Sequence, residues 1–384
     1  MLDAIFSGFY ALTEGLRSVV AGGMWPNLVM LAGAGMLLWL GVAKGVEPLL
    51  LVPIGFGCFL VNLPLSGVME DHGILRTLYE AGIISELFPL LIFIGIGAMT
   101  DFTPLLANPK ILLFGAAGQL GIFLTVGLAL WAGFDKKEAV SIGMIGACDG
   151  PTVIFVSSQF APHLLAATSV AAYSYMSLVP ILQPPIMRLM TTREERRIRM
   201  PNPKGRVSKT ALVLFPLVVT GVTGLIAPQG LPLMGMIMLG NFLKTSGAVQ
   251  RLTHASENEI ASVCTLFLGL AIGGTMEGHA FLKEQTLLIL GLGLVAIIVD
   301  TVGGLLLGKL MCFLSGGKVN PLIGAAGISA YPMAARIVQH EGQREDKHNY
   351  LLMHAMGANT GGQIGSIMAA AIMLSILKGL GIIG

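Results

Sequence analysis

IGACDGPTVIF, Ile145–Phe155, lies between long apolar runs and yet sets a carboxylate, a glycine and a proline in direct succession. A charged side chain at the centre of a membrane helix costs about 2.5–3.5 kcal/mol on insertion scales, so Asp149 must face a cavity or a partner. Gly150 permits a turn, and Pro151 suits the first position of a new helix, having a fixed φ and no amide hydrogen to satisfy. The stretch therefore predicts helix, unwound Asp-Gly, helix, with loosened carbonyls turned toward the same cavity as the carboxylate. With the Thr152 hydroxyl, these hard oxygens make a set that replaces the hydration shell of a small alkali cation. The competing reading is Asp149 as a plain helix N-cap without a ligand.

The surroundings make this a membrane question. Of 384 residues 54% are hydrophobic and 11% charged, a balance outside that of soluble domains. Apolar segments near 27–44, 48–66, 84–99, 109–132, 137–158, 165–188, 210–227, 230–245, 259–275, 284–311, 319–336 and 350–377 are the candidate spans. The fold expected is an all-α polytopic membrane protein of about 10–12 spans, because open strands in lipid leave backbone groups unpaired. A net charge of +2 offers nothing to a nucleic acid. Short loops suit a bacterial inner-membrane protein. Residues 1–24 are expected to form an interfacial amphipathic helix, with Leu2, Phe6, Phe9, Leu16 and Val20 on one stripe.

The long polar stretch at 191–209 is rich in arginine and lysine and is expected to be a cytoplasmic linker. It would separate a first membrane repeat, 25–190, from a second, 210–384. Asp101 and Glu277 follow similar glycine-rich strings 277 − 101 = 176 residues apart, and IGACDGP and IGAAGIS are 323 − 145 = 178 apart. These offsets suggest a duplication, inverted if the span count per half is odd, with broken helices meeting at the midplane as in sodium-coupled secondary transporters.

A second break is expected in KVNPLIGAAGISAYPMAARI, where Asn320 precedes Pro321, Gly324 and Gly327 allow close approach, and Ser329 adds a hydroxyl. Arg336 stays protonated and either pairs with an anionic group or snorkels at a span end. In HAMGANTGGQIGS, Asn359, Thr360, Gln363 and Ser366 read as site groups or as amide glue between helices. Tyr175, in AAYSYMSLVPILQPPIM, is a site residue or an interfacial anchor. Asp101, Glu277, Asp300 and Lys309 are assigned structural roles; nine residues of unbroken helix set Asp300 and Lys309 on opposite faces. The four cysteines lie singly and read as packing residues, and His279, His348 and His354 lack metal-ligand spacing. No phosphate loop, nucleophile elbow or dinucleotide fingerprint is present, which excludes ATP hydrolysis as the energy source.

From about residue 80 onward the strings SIGMIGACDGPTVIF, AAYSYMSLVPILQPPIM, NPLIGAAGISAYPMAARI and HAMGANTGGQIGS resemble, in order and spacing, the membrane beta subunit of sodium-pumping, biotin-dependent decarboxylases. Those enzymes serve oxaloacetate, methylmalonyl-CoA, glutaconyl-CoA and related acids. The resemblance implies a sodium-translocating decarboxylase subunit that receives carboxybiotin from a biotin-bearing carboxyltransferase, or alpha-type, partner. It also implies a small gamma-type membrane partner and several beta subunits per assembly. Asp149 then corresponds to the family's essential aspartate, a sodium ligand and coupling residue. Tyr175, Asn320, Gly324, Ser329, Arg336 and Asn359 stand at positions the family uses for sodium binding and carboxybiotin decarboxylation. On this assignment Asp149, Thr152, Asn320, Gly324, Ser329 and Asn359 are the metal set. Asp149, Tyr175 and Arg336 are the catalytic candidates, and Arg336 also holds the carboxylated cofactor. Cys148 departs from the small apolar residue expected before the aspartate, and Ala358 from the proline that often precedes the asparagine. The rival reading of the polar breaks is a stand-alone sodium-coupled transporter without chemistry.

Overall fold

The computed structural model describes residues 24–45, 47–201 and 207–381; the amphipathic helix expected at 1–24 thus falls, except for Met24, outside the described residues. Within them the chain is helical and contains no strand. That follows from the solvent: a helix satisfies its own backbone amides where lipid cannot. In chain order the principal helices are α1 Trp25–Lys44, α2 Pro48–Asn62, α3 Leu87–Met99, α4 Pro109–Trp131, α5 Lys136–Gly143, α6 Gly150–Phe160 and α7 Leu165–Met190. They continue with α8 Lys209–Ile226, α9 Leu231–Ser246, α10 Gln250–Gly274, α11 Glu284–Leu314, α12 Met333–Glu345 and α13 Leu352–Gly379.

Among the described residues six of these (α1, α4, α8, α10, α11 and α13) are long and apolar enough to cross a membrane unaided. Two further spans arise if each bent pair counts as one: Ile74–Ile84 with Leu87–Met99, bent by 61°, and the two parts of α7, bent by 59°. The expected count of 10–12 treated 137–158 and 319–336 as single spans. Both are instead assembled from short helices and 3-10 turns, and α2 has only 15 residues.

The helix ends follow local chemistry. Asp135 and Glu138 form a reciprocal capping box at the start of α5, and Ser208 caps α8 through the Ala211 amide. Gly45, at φ 64, closes α1 in the left-handed conformation. Asp101 accepts the Thr103 amide at 2.9 Å, and Glu277 accepts the Ala280 amide at 2.9 Å. Glu277 is the N-cap of its short helix, and Asp101 holds the first helical amide from one position before the N-cap.

The described chain divides into two compact units, each drawing on both halves of the sequence. One comprises residues up to Phe88 with Thr265–Leu287. There the buried Asn62 amide donates to the Cys58 and Met276 carbonyls at 2.8 Å each, and its oxygen accepts the Gly278 amide at 2.9 Å. The larger unit, Pro89–Cys264 with Leu288–Gly384, holds both interrupted segments. Packing in it relies on small residues, since lipid gives apolar side chains no reason to cluster. A β-carbon on Gly324 would overlap the Gly304 carbonyl, and one on Gly304 would overlap that of Gly324. Only glycine at both positions lets α11 lie directly on the second broken segment. Leu217, Val218, Val222 and Leu225 of α8 are exposed, as a lipid-facing helix requires.

Candidate functional site

The first interruption is built from α5 and α6. After Gly143 the chain tightens into a 3-10 turn, Met144–Ala147, and Cys148 then takes a left-handed conformation at φ 51. For a residue with a β-carbon that conformation costs roughly 1–2 kcal/mol, so tertiary contacts must hold it. Asp149 is extended, at φ −135 and ψ 95, and α6 resumes at Gly150 with Pro151 in its first turn. The unwound pair is therefore Cys148-Asp149, one residue earlier than the sequence suggests, because glycine and proline both fit the new helix. Asp149 is 5% exposed. Its carboxylate accepts the Thr152 hydroxyl at 2.5 Å and faces the Thr152 amide and the Ser366 hydroxyl. A β-carbon on Gly150 would overlap the Tyr173 ring, so glycine here lets that buried phenol close over the start of α6.

The second interruption runs from Asn320 through the 3-10 segment Pro321–Gly327 to the extended Ile328 and a bend at Ser329. Seven residues of 3-10 helix are long for a conformation with poorer hydrogen-bond geometry, and its carbonyls look outward for partners. The two breaks meet here: the Ser329 amide donates to the Ala147 carbonyl at 3.3 Å. The Ser329 hydroxyl donates to Gly362 at 2.9 Å, and the Asn359 amide donates to Ile328 at 2.7 Å. Thus α13 braces the meeting point from the side that carries Ser366.

Ser329 and Asn359 lie at this junction, and Asp149 with Thr152 reaches α13 at Ser366, two turns along from Asn359. Asn320, Gly324, Tyr175 and Arg336 lie elsewhere. The Asn320 side chain caps the 3-10 segment by accepting the Leu322 amide at 3.0 Å, while its own amide donates to Arg196 and Ile198 of the linker at 3.1 and 2.9 Å. Gly324 is spent on the contact with α11. The Tyr175 hydroxyl donates to the Leu290 carbonyl at 2.5 Å, toward α11.

Two buried amides at these breaks, Gln119 and Gln183, escape a motif reading, and Asp300, assigned a structural role from the sequence, lies with them. Gln119 lies where α4 is interrupted, and its amide donates to Gly115, Gly327 and Gly362 at 3.2, 3.2 and 3.3 Å. Gln183 donates to Ala325 at 2.8 Å. Asp300 accepts the Gly121 amide at 2.5 Å, while Lys309, as expected, points elsewhere, to the Met190 carbonyl at 2.9 Å. The available signal is a lone amide or acid inside a long apolar run. Among the described residues Gln119 Oε1, Gln183 Oε1, Asn359 Oδ1 and Asp300 Oδ2 are buried acceptors without a donor. Buried polar atoms are almost always paired, so acceptors left over beside two helix breaks are the kind of oxygen a hard cation takes.

Arg336 opens onto a cleft of about 510 Å³ lined by Pro180, Pro184, Pro185, Arg188, His340 and Glu341 among others. Arg188 is taken by Glu341 in a two-pronged pair at 2.7 and 2.6 Å, and Arg196 and Arg199 bind Glu345 and Asp346 at 2.7 and 2.6 Å. These arginines hold the three carboxyls below their ordinary range. Arg336 is exposed and makes no ion pair among the described residues. Ser329 and Arg336 are 336 − 329 = 7 residues apart, joined by the turn that starts α12. One short segment therefore carries both the serine at the break and the arginine at the cleft.

Residues 26–377 match the family described as the Na+-transporting oxaloacetate decarboxylase beta subunit. The chain is 50% identical over 373 residues to the glutaconyl-CoA decarboxylase beta subunit of Acidaminococcus fermentans, covering 97% of this chain and 96% of that one. It is 49% identical over 372 residues to the methylmalonyl-CoA decarboxylase beta subunit of Veillonella parvula, with 97% and 96% covered. To the oxaloacetate decarboxylase beta chain of Klebsiella pneumoniae it is 43% identical over 425 aligned positions, with 95% and 98% covered. The apolar helices, the paired interruptions and these full-length similarities agree: the chain belongs to the family of sodium-transporting decarboxylase beta subunits.

Proposed function

We propose that this subunit releases CO2 from carboxybiotin presented by a biotin-bearing, alpha-type partner and uses that step to carry Na+ outward across the inner membrane. The observation that carries the reading is the contact of Ser329 with Ala147, which joins the two interrupted segments beside Asp149. Asp149, Thr152, Ser329 and Asn359 are the sodium-facing set. An Asn359 oxygen with no donor and a buried carboxylate supply what a dehydrated alkali ion needs. Gln119, which ties α4, the second break and α13 together through three carbonyls, is a positioning residue for that set. Asn320 and Gly324 act at one remove, by shaping the second break.

The chemistry belongs to the cleft. A carboxylated ureido group is flat and anionic, and the unpaired Arg336 beside the proline-rich wall of α7 matches both properties. In the step itself the bond from the ureido nitrogen to the carboxyl carbon breaks, CO2 leaves and the nitrogen takes up a proton. Asp149 or Tyr175 supplies that proton; if it is Asp149, proton and Na+ exchange on the same carboxylate oxygens. Moving one charge against 100 mV costs about 2.3 kcal/mol, and the Ser329–Arg336 segment is a direct path for tying the two events together. The organic acid never reaches this chain, which fits relatives named for three different acids. The basic linker puts the cleft on the cytoplasmic side. A small gamma-type subunit and further beta copies complete the assembly, and the two related membrane halves at 25–190 and 210–384 are the origin of its paired breaks.

The test is decarboxylation of free carboxybiotin by the reconstituted membrane complex, with and without Na+. The wild type should require Na+, and a complex carrying Asp149→Asn that assembles normally should not respond to it. Full sodium-dependent decarboxylation by that variant would overturn the assignment.

A further inference from the structure

The exposed positions of α12 are basic and include no acid. Arg336, His340 and Arg344 stand four residues apart and are all exposed, so they share one face of the helix and run about 12 Å along it, at 1.5 Å per residue. Lys347, just past the helix end, is exposed as well. The acids of this segment face the other way. Glu341 is buried and Glu345 and Asp346 are partly buried, each held by Arg188, Arg196 or Arg199. Arg336, Arg344 and Lys347 make no ion pair among the described residues. At the far end Arg196 holds the Glu345 carboxyl below its ordinary range, and the exposed Arg193 and Arg197 of the linker add to that field, which sets them beside the stripe. Of the linker's own acids, Glu195 faces Thr192 and Lys309, and Glu194 stays exposed.

Each arginine of the strap thus withdraws an acid from the outer face and leaves the cations there uncompensated. The positive-inside tendency accounts for basic residues on a cytoplasmic surface, but not for the removal of acids from one helix face. The stripe starts at the cleft, because Arg336 and His340 line it. A cleft of about 510 Å³ admits a flat ring system and not the protein that carries it. A specific protein contact covers about 800 Å² on each partner, so a carrier must rest on the surface around the cleft mouth. Anionic lipid is the other neighbour such charges could meet, but a membrane-surface helix shows apolar side chains beside its cations. No large apolar side chain of α12 is exposed, and Ala334, Ala335 and Val338 are buried within the chain.

We propose that the exposed face of α12, from Arg336 to Lys347 with Arg193 and Arg197 beside it, is the docking surface for the biotin-bearing partner, which meets it with an acidic face. The inference rests on the carboxybiotin reading above and deepens it: Arg336 takes the cofactor, and the rest of the stripe takes the protein that brings it. Such a contact acts on encounter and register, since exposed charges steer association and are screened by salt.

Release of CO2 from free carboxybiotin needs the cleft alone, whereas release from the complex's own carboxylated biotin needs the carrier seated as well. The intact reconstituted complex is therefore loaded with radioactive carboxyl groups in Na+-free buffer, and CO2 release is timed after Na+ is added, at low and at high concentrations of choline chloride. Release from the wild type should slow as ionic strength rises. Arg344→Glu with Lys347→Glu, neither of which lines the cleft, should slow it about tenfold at low ionic strength and remove the salt dependence, while free carboxybiotin is decarboxylated at the wild-type rate. Arg344→Gln with Lys347→Gln should fall between. A wild type that decarboxylates free carboxybiotin without any need for Na+ would instead undo the reading on which the inference rests. Three results would overturn the docking surface itself. Equal slowing with both substrates would assign these charges to the cleft. Equal release from the wild type and both variants would leave them with topology alone. A defect seen in vesicles containing phosphatidylglycerol and absent in pure phosphatidylcholine would make the membrane surface their partner.

Discussion

The two interruptions in the larger unit share a grammar and differ in what they offer. Both contain a 3-10 turn; the first leaves it through left-handed Cys148 to extended Asp149, the second through extended Ile328. The first brings a charge, Asp149, buried beside Thr152 and Ser366. The second brings no charge: Ser329 and the carbonyls around Ile328 are neutral, and its capping asparagine is tied to the linker. The difference divides the labour. On the proposed function the first break supplies the affinity for a cation, and the second supplies a neutral face linked, through Asn320 at one end and Arg336 at the other, to the linker and to the proposed carboxybiotin cleft.

If that division is right, substitutions at the two breaks must fail in different ways. Asp149→Asn has the largest expected effect, a loss of at least about 100-fold in sodium-dependent turnover, because an amide cannot neutralise a buried cation. Arg336→Ala should raise KM for carboxybiotin by about tenfold or more with Na+ dependence unchanged, and Arg336→Lys should recover only part, lacking the planar fork. Steady-state kinetics at saturating and limiting Na+ read both. A shift in sodium affinity on changing Arg336 would dissolve the distinction between cleft and ion site.

Asn359 and Asn320 sharpen the comparison, since the family resemblance assigns both to the ion and their contacts here differ. Asn359→Ala removes an unpartnered oxygen at the meeting point and should weaken Na+ activation by about tenfold. Asn320→Ala strips two bonds to the linker and one to Leu322, and should lower thermal stability by about 1–3 kcal/mol with sodium affinity retained. Equal loss of sodium affinity in the two variants would place Asn320 in the ion's shell after all.

The smallest effect belongs to the ion pairs that fasten the linker to α12. Arg188, Arg196 and Arg199 depress the carboxyls of Glu341, Glu345 and Asp346. A carboxyl with a lowered folded-state pKa stabilises the protein above its ordinary range and loses that contribution as pH falls through the depressed value. The melting temperature of the detergent-solubilised complex should therefore be flat with pH near neutrality, where the pairs contribute in full, and fall below about pH 4. Arg188→Ala should flatten that acid limb; an unchanged limb would mean that the strap contributes nothing.

Much of this was legible in the sequence, for reasons that explain what was not. Membrane helices announce themselves by apolar length, and Asp149-Gly150-Pro151 announces a break because no other reading accommodates a carboxylate and a proline in lipid. That the first and second breaks touch is a long-range fact, set by Gly304 against Gly324 and by Gln119 reaching three carbonyls, and no local pattern encodes it. Tyr173 and Tyr175 show the same limit. The family strings draw attention to Tyr175, yet Tyr173 covers Gly150, and two residues along a helix decide which phenol meets the break. Asn320 and Ser329 lie on one short segment and face opposite ends of it. Asp300 shows the same limit, since the amide it accepts, Gly121, lies 300 − 121 = 179 positions away.

The central claim is that Asp149 and Asn359, brought together where the two breaks meet, bind the transported ion. A density map of the complex at matched resolution in Na+ and in an Na+-free buffer tests it directly. Density confined to the Na+ map, among the Asp149 carboxylate, the Asn359 oxygen and the Ser329 turn, is the result expected. Identical maps there, or an ion held elsewhere while Asp149 turns to lipid, would contradict it.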